Sequence, residues 1–295
     1  MDWNSLAGKP LALEGITLEK YSPSRLKTYE TCPRKYRFIY IDNLAPQFEK
    51  PRPELFLGNQ IHAALRRFFE LDPSERSLEV LHNLFRRAWA VDGKRQETFT
   101  DVATEREFGL KGLELLRQFF THHDTSGRPF KLEEWVESPL DDDSGLLGKI
   151  DRIDIDPDGR LHLIDYKTGK PPASAGYLRS DLQLPAYWLM AESTFGRPVG
   201  RISYLYLQTP TPYTATFTRE EVEGVRRYLR ELVRKIRADD QFLPIANPLC
   251  RFCDYQSICP LELRQTGGTG SATSGWLAWT GNDEGIDRAV NSLPF

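Results

Sequence analysis

Leu146-Leu147-Gly148-Lys149-Ile150-Asp151-Arg152-Ile153-Asp154-Ile155-Asp156, then Pro157-Asp158-Gly159, then Arg160-Leu161-His162-Leu163-Ile164-Asp165-Tyr166-Lys167-Thr168-Gly169-Lys170, is the stretch on which the fold turns. Both runs alternate apolar and polar residues as strands do, and the Pro-Asp-Gly between them is turn chemistry, so the pattern predicts a β-hairpin. Asp165 and Lys167 are two positions apart and share a strand face, whereas Asp151 and Asp154 are three apart and do not. Pairing around the turn lets Asp151 and Asp165 converge. Two carboxylates at one point repel unless a divalent cation lies between them, and oxygen ligands of this kind favour Mg2+ or Mn2+. A lysine on the same face would orient a water as the ammonium, or deprotonate it as the free amine, for attack on phosphorus.

Upstream of the hairpin the periodicity is helical. Ser22-Pro23 is a helix-start signal, SRLKTYETCPRKYRFIYI continues it, and Cys32-Pro33 marks a break between two short helices. After the Pro-rich KPRPE link, NQIHAALRRFFE repeats Ile61, Leu65 and Phe68/Phe69 at helical spacing, with His62 near the helix start. Residues 77–91 and 104–122 keep the helical period, and 131–137 (KLEEWVE) begins to alternate like a strand. Downstream, the pattern predicts a helix over about 178–195, strands at RISYLYLQ and YTATFT, and a charged amphipathic helix, REEVEGVRRYLRELVRKIRADD. From about Gln265 the sequence turns to Gly, Ser and Thr, which bury too little apolar area to offset ordering entropy, so a flexible tail is expected.

The composition is that of a globular protein: 295 residues, 40% hydrophobic and 27% charged. With 39 Lys and Arg against 42 Asp and Glu, the net charge is −3, which excludes a uniformly basic nucleic-acid coat and confines any DNA-binding surface to part of the molecule. No window approaches the roughly 18 apolar residues of a membrane span, and the first residues lack the pattern of a signal peptide. A cytoplasmic protein with no membrane partner is expected.

The run GKIDRID, followed by Asp165-Tyr166-Lys167-Thr168-Gly169-Lys170, resembles the PD-(D/E)XK nuclease superfamily in its RecB-like branch. The resemblance spans about residues 21–260. It implies an α/β fold, a restriction-endonuclease-like mixed sheet flanked by helices. It also implies that Asp151 and Asp165 ligate the metal and that Lys167 is the catalytic lysine of a phosphodiester hydrolase. Gly58-x-x-Ile61-His62 is similar to the motif in which this branch supplies a histidine ligand, which would tilt the site toward Mn2+. Gln183-x-x-x-Tyr187, one helical turn apart, resembles the Q-x-x-x-Y motif that follows the lysine, with substrate binding as its implied role. Having Asp where many relatives have Glu, at position 165, shortens that ligand by one methylene.

The four cysteines are Cys32, Cys250, Cys253 and Cys259, too few and too unevenly spread for a disulfide scaffold. Chemically they suit a structural Zn2+ or a [4Fe-4S] cluster, each of which accepts four thiolates. An N-terminal cysteine followed by C-x2-C-x5-C resembles the iron–sulfur staple of AddB-type and CRISPR-adaptation nucleases, which implies a cluster tying the first helices to the C-terminal region. The expected organisation is an N-terminal extension (1–20), a nuclease domain (21–263) with a helical insertion (about 62–125) and the cysteine cluster (250–259), and the tail (264–295).

Arg25, Lys27, Arg34, Lys35 and Arg37 interleave with Tyr29, Tyr36, Phe38 and Tyr40, a mixture that suits a single strand. A solvated basic helix with a buried aromatic face explains the same residues. Arg226, Arg227, Arg230, Arg234, Lys235 and Arg237 intermingle with Glu221, Glu223 and Glu231 and read as a salt-bridged surface. The acidic end closing on Pro294-Phe295 reads as a solvated tail, although it also resembles the acidic, Phe-ending docking tails of bacterial single-stranded DNA-binding proteins, and Trp276 and Trp279 suit a short docking motif. The sequence thus predicts a metal-dependent DNA exonuclease acting on single-stranded or end-bearing DNA in repair, recombination or defence. It holds no GxxxxGK[ST] motor motif, so a helicase or repair protein is the expected partner. The alternatives are a non-catalytic DNA-end-binding subunit of a helicase or CRISPR-adaptation complex, and a nuclease-like scaffold with zinc in place of iron.

Overall fold

A computed structural model describes residues 11–13, 16–171 and 181–261. The chain begins with β1 (Leu11–Leu13) and β2 (Ile16–Tyr21) and passes into α1 (Pro23–Thr31) and α2 (Pro33–Tyr40). Ser22 Oγ accepts the Arg25 N–H at the start of α1, with Pro23 behind it, as the sequence signals. Four further helices follow: α3 (Ala45–Phe48), α4 (Pro53–Glu70), α5 (Leu78–Val91) and α6 (Arg95–Thr98). Then come α7 (Val102–His122), β3 (Lys131–Pro139), β4 (Ser144–Ile155) and β5 (Leu161–Lys167). The hairpin of β4 and β5 turns at Pro157-Asp158-Gly159, and Gly159 takes φ +83°, which an L side chain would resist. The described residues end with α8 (Gln183–Phe195), β6 (Val199–Tyr206), β7 (Tyr213–Ala215), α9 (Arg219–Ala238) and two 3-10 turns.

Among the described residues the strands form a seven-stranded mixed sheet. β4 is its axis. β3 runs antiparallel along one edge of β4 from Gly145 to Ile153. The other edge is shared: β2 pairs in parallel with Ser144–Leu146, and β5 pairs antiparallel with Arg152–Ile155. Between those two partners lies a stretch of β4 edge with no paired strand among the described residues, and it ends at Asp151. β6 continues the sheet in parallel from β5, and β7 closes it.

Each sheet face carries its own core. On one, Leu146, Ile150, Ile153 and Leu163 pack with Tyr29, Leu184, Tyr187, Met190, Leu229 and Val233 from α1, α8 and α9. On the other, Ile164, Tyr166 and Leu205 pack with Ile61, Leu65, Phe68, Phe85, Leu116 and Phe119 from α4, α5 and α7. This changes two expected boundaries. Residues 11–13 and 16–20, expected as part of an extension, are strands of the sheet. The helices expected as an insertion begin at Pro53 and form the layer that covers the second face, because an apolar helical stripe needs a partner and the sheet supplies it. Among the described residues no helix is long and apolar enough to cross a membrane. The expected tail and its Trp276, Trp279 and Phe295 lie outside the described residues, as do 178–180 of the expected helix.

His162 in β5 is buried, with Nε2 2.8 Å from Ser203 Oγ. Burial, aided by the Arg201 charge, pushes its pKa from 6.5 down to about 4. A histidine whose folded pKa is depressed stabilises the fold only while neutral, so its contribution is full above pH 6.5 and is withdrawn as pH falls toward 4. The loss over that window should be on the order of 3 kcal/mol. His162→Gln should therefore flatten the dependence of melting temperature on pH between 7 and 4, measured by calorimetry.

Candidate active site

Continued one step, the β4–β5 ladder, whose last pair is Arg152 with Ile164, would set Asp151 opposite Asp165. Instead the strands part there. The Tyr166 N–H, freed from the ladder, donates to Asp151 Oδ2 at 2.8 Å. Asp151 Oδ1 lies 3.2 Å from His62 Nδ1, which α4 brings from the second face of the sheet. Asp165 Oδ2 meets Lys167 Nζ at 2.7 Å, and the ammonium sits 4.4 Å from the centre of the Tyr204 ring. The sequence-derived residues His62, Asp151, Asp165, Lys167, Gln183 and Tyr187 thus meet at the mouth of one fork.

Gln183 and Tyr187 arrive from α8 on the first face. Gln183 Nε2 donates to Asp165 Oδ1 at 3.1 Å and to Tyr187 Oη at 3.0 Å. Asp181 Oδ1 accepts the Gln183 N–H at 2.9 Å, while Asp181 Oδ2 accepts the Tyr204 hydroxyl at 2.7 Å. The Gln183 amide nitrogen thus orients the Asp165 carboxylate. The approach of α8 depends on Gly148: a Cβ there would stand 2.7 Å from both Met190 Cε and Tyr187 Cε1.

Charge is tightly matched. Burial opposes the His62 cation, but Asp151, with Asp165 and Glu133 behind it, raises the imidazole pKa to about 9. Burial drives the Asp165 carboxyl up to about 6 against the pull of Lys167, and the Asp151 charge adds to the rise. For Asp151, burial raises the pKa, but His62, the Tyr166 N–H and Lys167 together bring it below the usual carboxylate value. Lys167 is disfavoured as a cation by burial, yet Asp165 more than offsets this and its pKa stands above that of an ordinary lysine.

One residue of the centre went unmarked in the sequence. Glu133 Oε1 lies 4.0 Å from His62 Nδ1, and Glu133 Oε2 lies 2.5 Å from Lys149 Nζ. Ligand atoms of His62, Glu133 and Asp151 all lie within 4.8 Å of one another. Asp165 is not in that group; its oxygens are taken by Lys167 and Gln183. Glu133 has φ +50°, a left-handed conformation that costs a non-glycine residue about 1–3 kcal/mol. Register on either side of it is kept, Leu132 with Arg152 and Glu134 with Ile150. The face alternation of β4 slips at the same level: Ile150 and Ile153 both enter the first core, while Asp151 and Arg152 both turn toward α4, at His62 and Phe69. No local motif announces such a kink, and Glu133 sits in KLEEWVE as one acid among three. The donor set of an imidazole nitrogen and carboxylate oxygens fits Mn2+ or Mg2+. Asp165 Oδ2 is itself buried without a hydrogen bond of good geometry.

The cysteines lie elsewhere. Asn247 Nδ2 donates to the Thr31 carbonyl at 3.2 Å, Arg52 meets Asp254 at 2.6 Å, and buried Tyr255 stacks on Phe38 at 5.4 Å, so residues 247–259 are pinned beside the Cys32 turn. Burial raises the Cys253 thiol, and the charges of Cys32 and Cys250 add to the rise. All four are free thiols, and among the described residues no three sulfurs fall within 4.8 Å.

Of the two readings of the basic-aromatic helices, the structure has the buried one. Tyr29, Tyr36 and Phe38 are buried, and Arg25 donates to Tyr36 Oη and stacks over the Tyr21 ring. On α9, Arg226 pairs with Glu223, Arg234 with Glu231, and Arg237 with Glu19 and Asp143.

The family model of the PD-(D/E)XK nuclease superfamily matches residues 20–260. Among the curated proteins no relative matches the sequence. Among solved structures, the chain is similar to the crystal structure of SSO0001 at 15% identity and TM-score 0.39, covering 86% of this chain and 90% of that one. It is also similar to a "Putative exonuclease" from Eubacterium rectale at 14% identity and TM-score 0.47, covering 84% and 92%. The mixed sheet flanked by helices is consistent with a restriction-endonuclease-like fold.

Gly148→Ala should destabilise the protein by about 1–3 kcal/mol, because the new methyl overpacks the β4–α8 contact. Denaturant unfolding followed by fluorescence measures it.

Proposed function

The chain belongs to the PD-(D/E)XK nuclease superfamily, and from that premise we propose that it is a RecB-like, divalent-metal-dependent DNA exonuclease acting at single-stranded ends in repair, recombination or defence. The observation that carries the reading is the meeting of Asp151, Asp165 and Lys167 at the fork of β4 and β5, with His62 against Asp151. His62, Asp151 and Asp165 would hold Mn2+ or Mg2+, which supplies Lewis-acid polarisation of the phosphodiester. Lys167 presents a fixed ammonium beside the carboxylates, where negative charge develops on the phosphate during hydrolysis. Gln183 holds Asp165 in its orientation, and Tyr187 closes the apolar side of the site.

Degradation of end-labelled single- and double-stranded DNA, with Mn2+ or Mg2+ and without, tests this reading. Wild type should cleave in a metal-dependent way, and Lys167→Ala or Asp165→Ala should lose roughly a hundred-fold or more of the rate. End binding should survive in both variants, since phosphate contacts are spread over many side chains. Tight end binding with no cleavage by any form would favour instead a non-catalytic end-binding subunit of a helicase or CRISPR-adaptation complex.

The proposal extends to Cys32, Cys250, Cys253 and Cys259 as ligands of a [4Fe-4S] staple. It is supported by the C-x2-C-x5-C spacing and by the Asn247–Thr31 and Arg52–Asp254 contacts that hold the segment near Cys32. Anaerobically purified protein should contain iron and acid-labile sulfide and absorb in the visible. Cys253→Ser should be colourless and poorly soluble. A colourless wild type with bound zinc would replace the cluster by a structural zinc site.

A further inference from the structure

Glu133 stands among the donors of the fork for reasons that a structural ion pair does not supply. Lys20 and Glu137 join β2 and β3 across the intervening β4 at 3.1 Å, and Glu137 keeps an ordinary backbone. Glu133 meets its lysine from a left-handed residue in the body of a strand whose register is intact on both sides. Strain of that kind in a non-glycine residue persists where the surrounding structure over-determines it, and it collects at functional sites. The orientation is specific. One carboxylate oxygen, Oε2, is held by Lys149 at 2.5 Å, and the other, Oε1, is turned toward His62 Nδ1. Ligand atoms of Glu133, Asp151 and His62 lie within 4.8 Å of one another, close enough for a single cation to be held by all three. Asp165, by contrast, is engaged by Lys167 and Gln183 and stands outside this group.

We propose that Glu133 is a further protein donor to the divalent cation, beside His62 and Asp151, and that Lys149 is the positioning residue that aims it. The inference rests on the metal-dependent reading of the same site. Lys149 neutralises one oxygen and fixes the rotamer, so that the other oxygen is presented without the carboxylate swinging to solvent.

Calorimetric titration of the metal-free full chain with Mn2+ tests it. Glu133→Gln should weaken Mn2+ uptake about ten-fold or more. Glu133→Gly, in which the left-handed backbone is free of strain, should weaken it as much. Lys149→Met should weaken uptake less than Glu133→Gln does, and no effect at all would overturn the aiming role. Uptake of wild-type strength in both Glu133 variants would overturn the proposal. If Asp151→Asn then still abolished uptake, the metal-dependent reading would stand without Glu133; absence of uptake by wild type would overturn both.

Discussion

The hydrogen bond from the Tyr166 N–H to Asp151 Oδ2, 2.8 Å long, stands where a strand-to-strand bond would otherwise continue the β4–β5 ladder. By taking that donor, a side chain replaces a backbone carbonyl, and the two strands are free to diverge without leaving a buried N–H unpaired. The divergence is what turns a continuous sheet into a fork. It also fixes the Asp151 carboxylate from the backbone, the stiffest partner available, and leaves the other oxygen turned to His62. His62 and Glu133 gather beside Asp151, while Lys167 and Gln183 gather on Asp165.

Three carboxylates in a poorly hydrated fork would expel one another if each were left alone. Each has a cation instead: Lys167 on Asp165, Lys149 on Glu133 and His62 on Asp151. The pairing accounts for the opposite directions of the acids' shifts. Asp151, supported by His62, the Tyr166 N–H and Lys167, is held low against burial, whereas Asp165 is more weakly compensated and rises. Breaking one buried pair leaves a charge without compensation, which costs more than the pair itself contributes. The matched set is therefore coherent as a set.

The hairpin was legible because it follows from period-two alternation and a local turn; the parting of its strands at Asp151 and Asp165 was not, because it depends on a side-chain bond to the Tyr166 N–H. His62, Gln183 and Tyr187 were legible by resemblance, although the bonding of Gln183 to Asp165 depends on how α8 lies across β4, which spacing alone does not fix. Glu133 was not legible: its part depends on a left-handed residue and a paired slip of face in two strands, neither of which changes the residue pattern. The short runs LAL and ITLEKY gave too little periodicity to reveal that they join the sheet. Tyr29, Tyr36 and Phe38 were ambiguous because an aromatic helix face suits a base or a core equally well, and only the packing against Phe242 and Tyr255 decides for the core.

Why the chemistry gathers at the fork follows from the layers. A hydrogen-bonded sheet separates the side chains of its two faces, so a histidine on α4 and a glutamine on α8 cannot ordinarily act on one point. They can where adjacent strands have parted. His62 reaches the opening from the helical layer over the second face, and Gln183 and Tyr187 reach it from the first, over the close approach that Gly148 permits. The two hydrophobic cores, each anchored to its own face, then hold the contributors from both sides rigidly against the same gap. A site built this way needs no deep pocket. Its shape comes from a missing segment of ladder, and its precision from the two packed layers that cannot move without losing their cores.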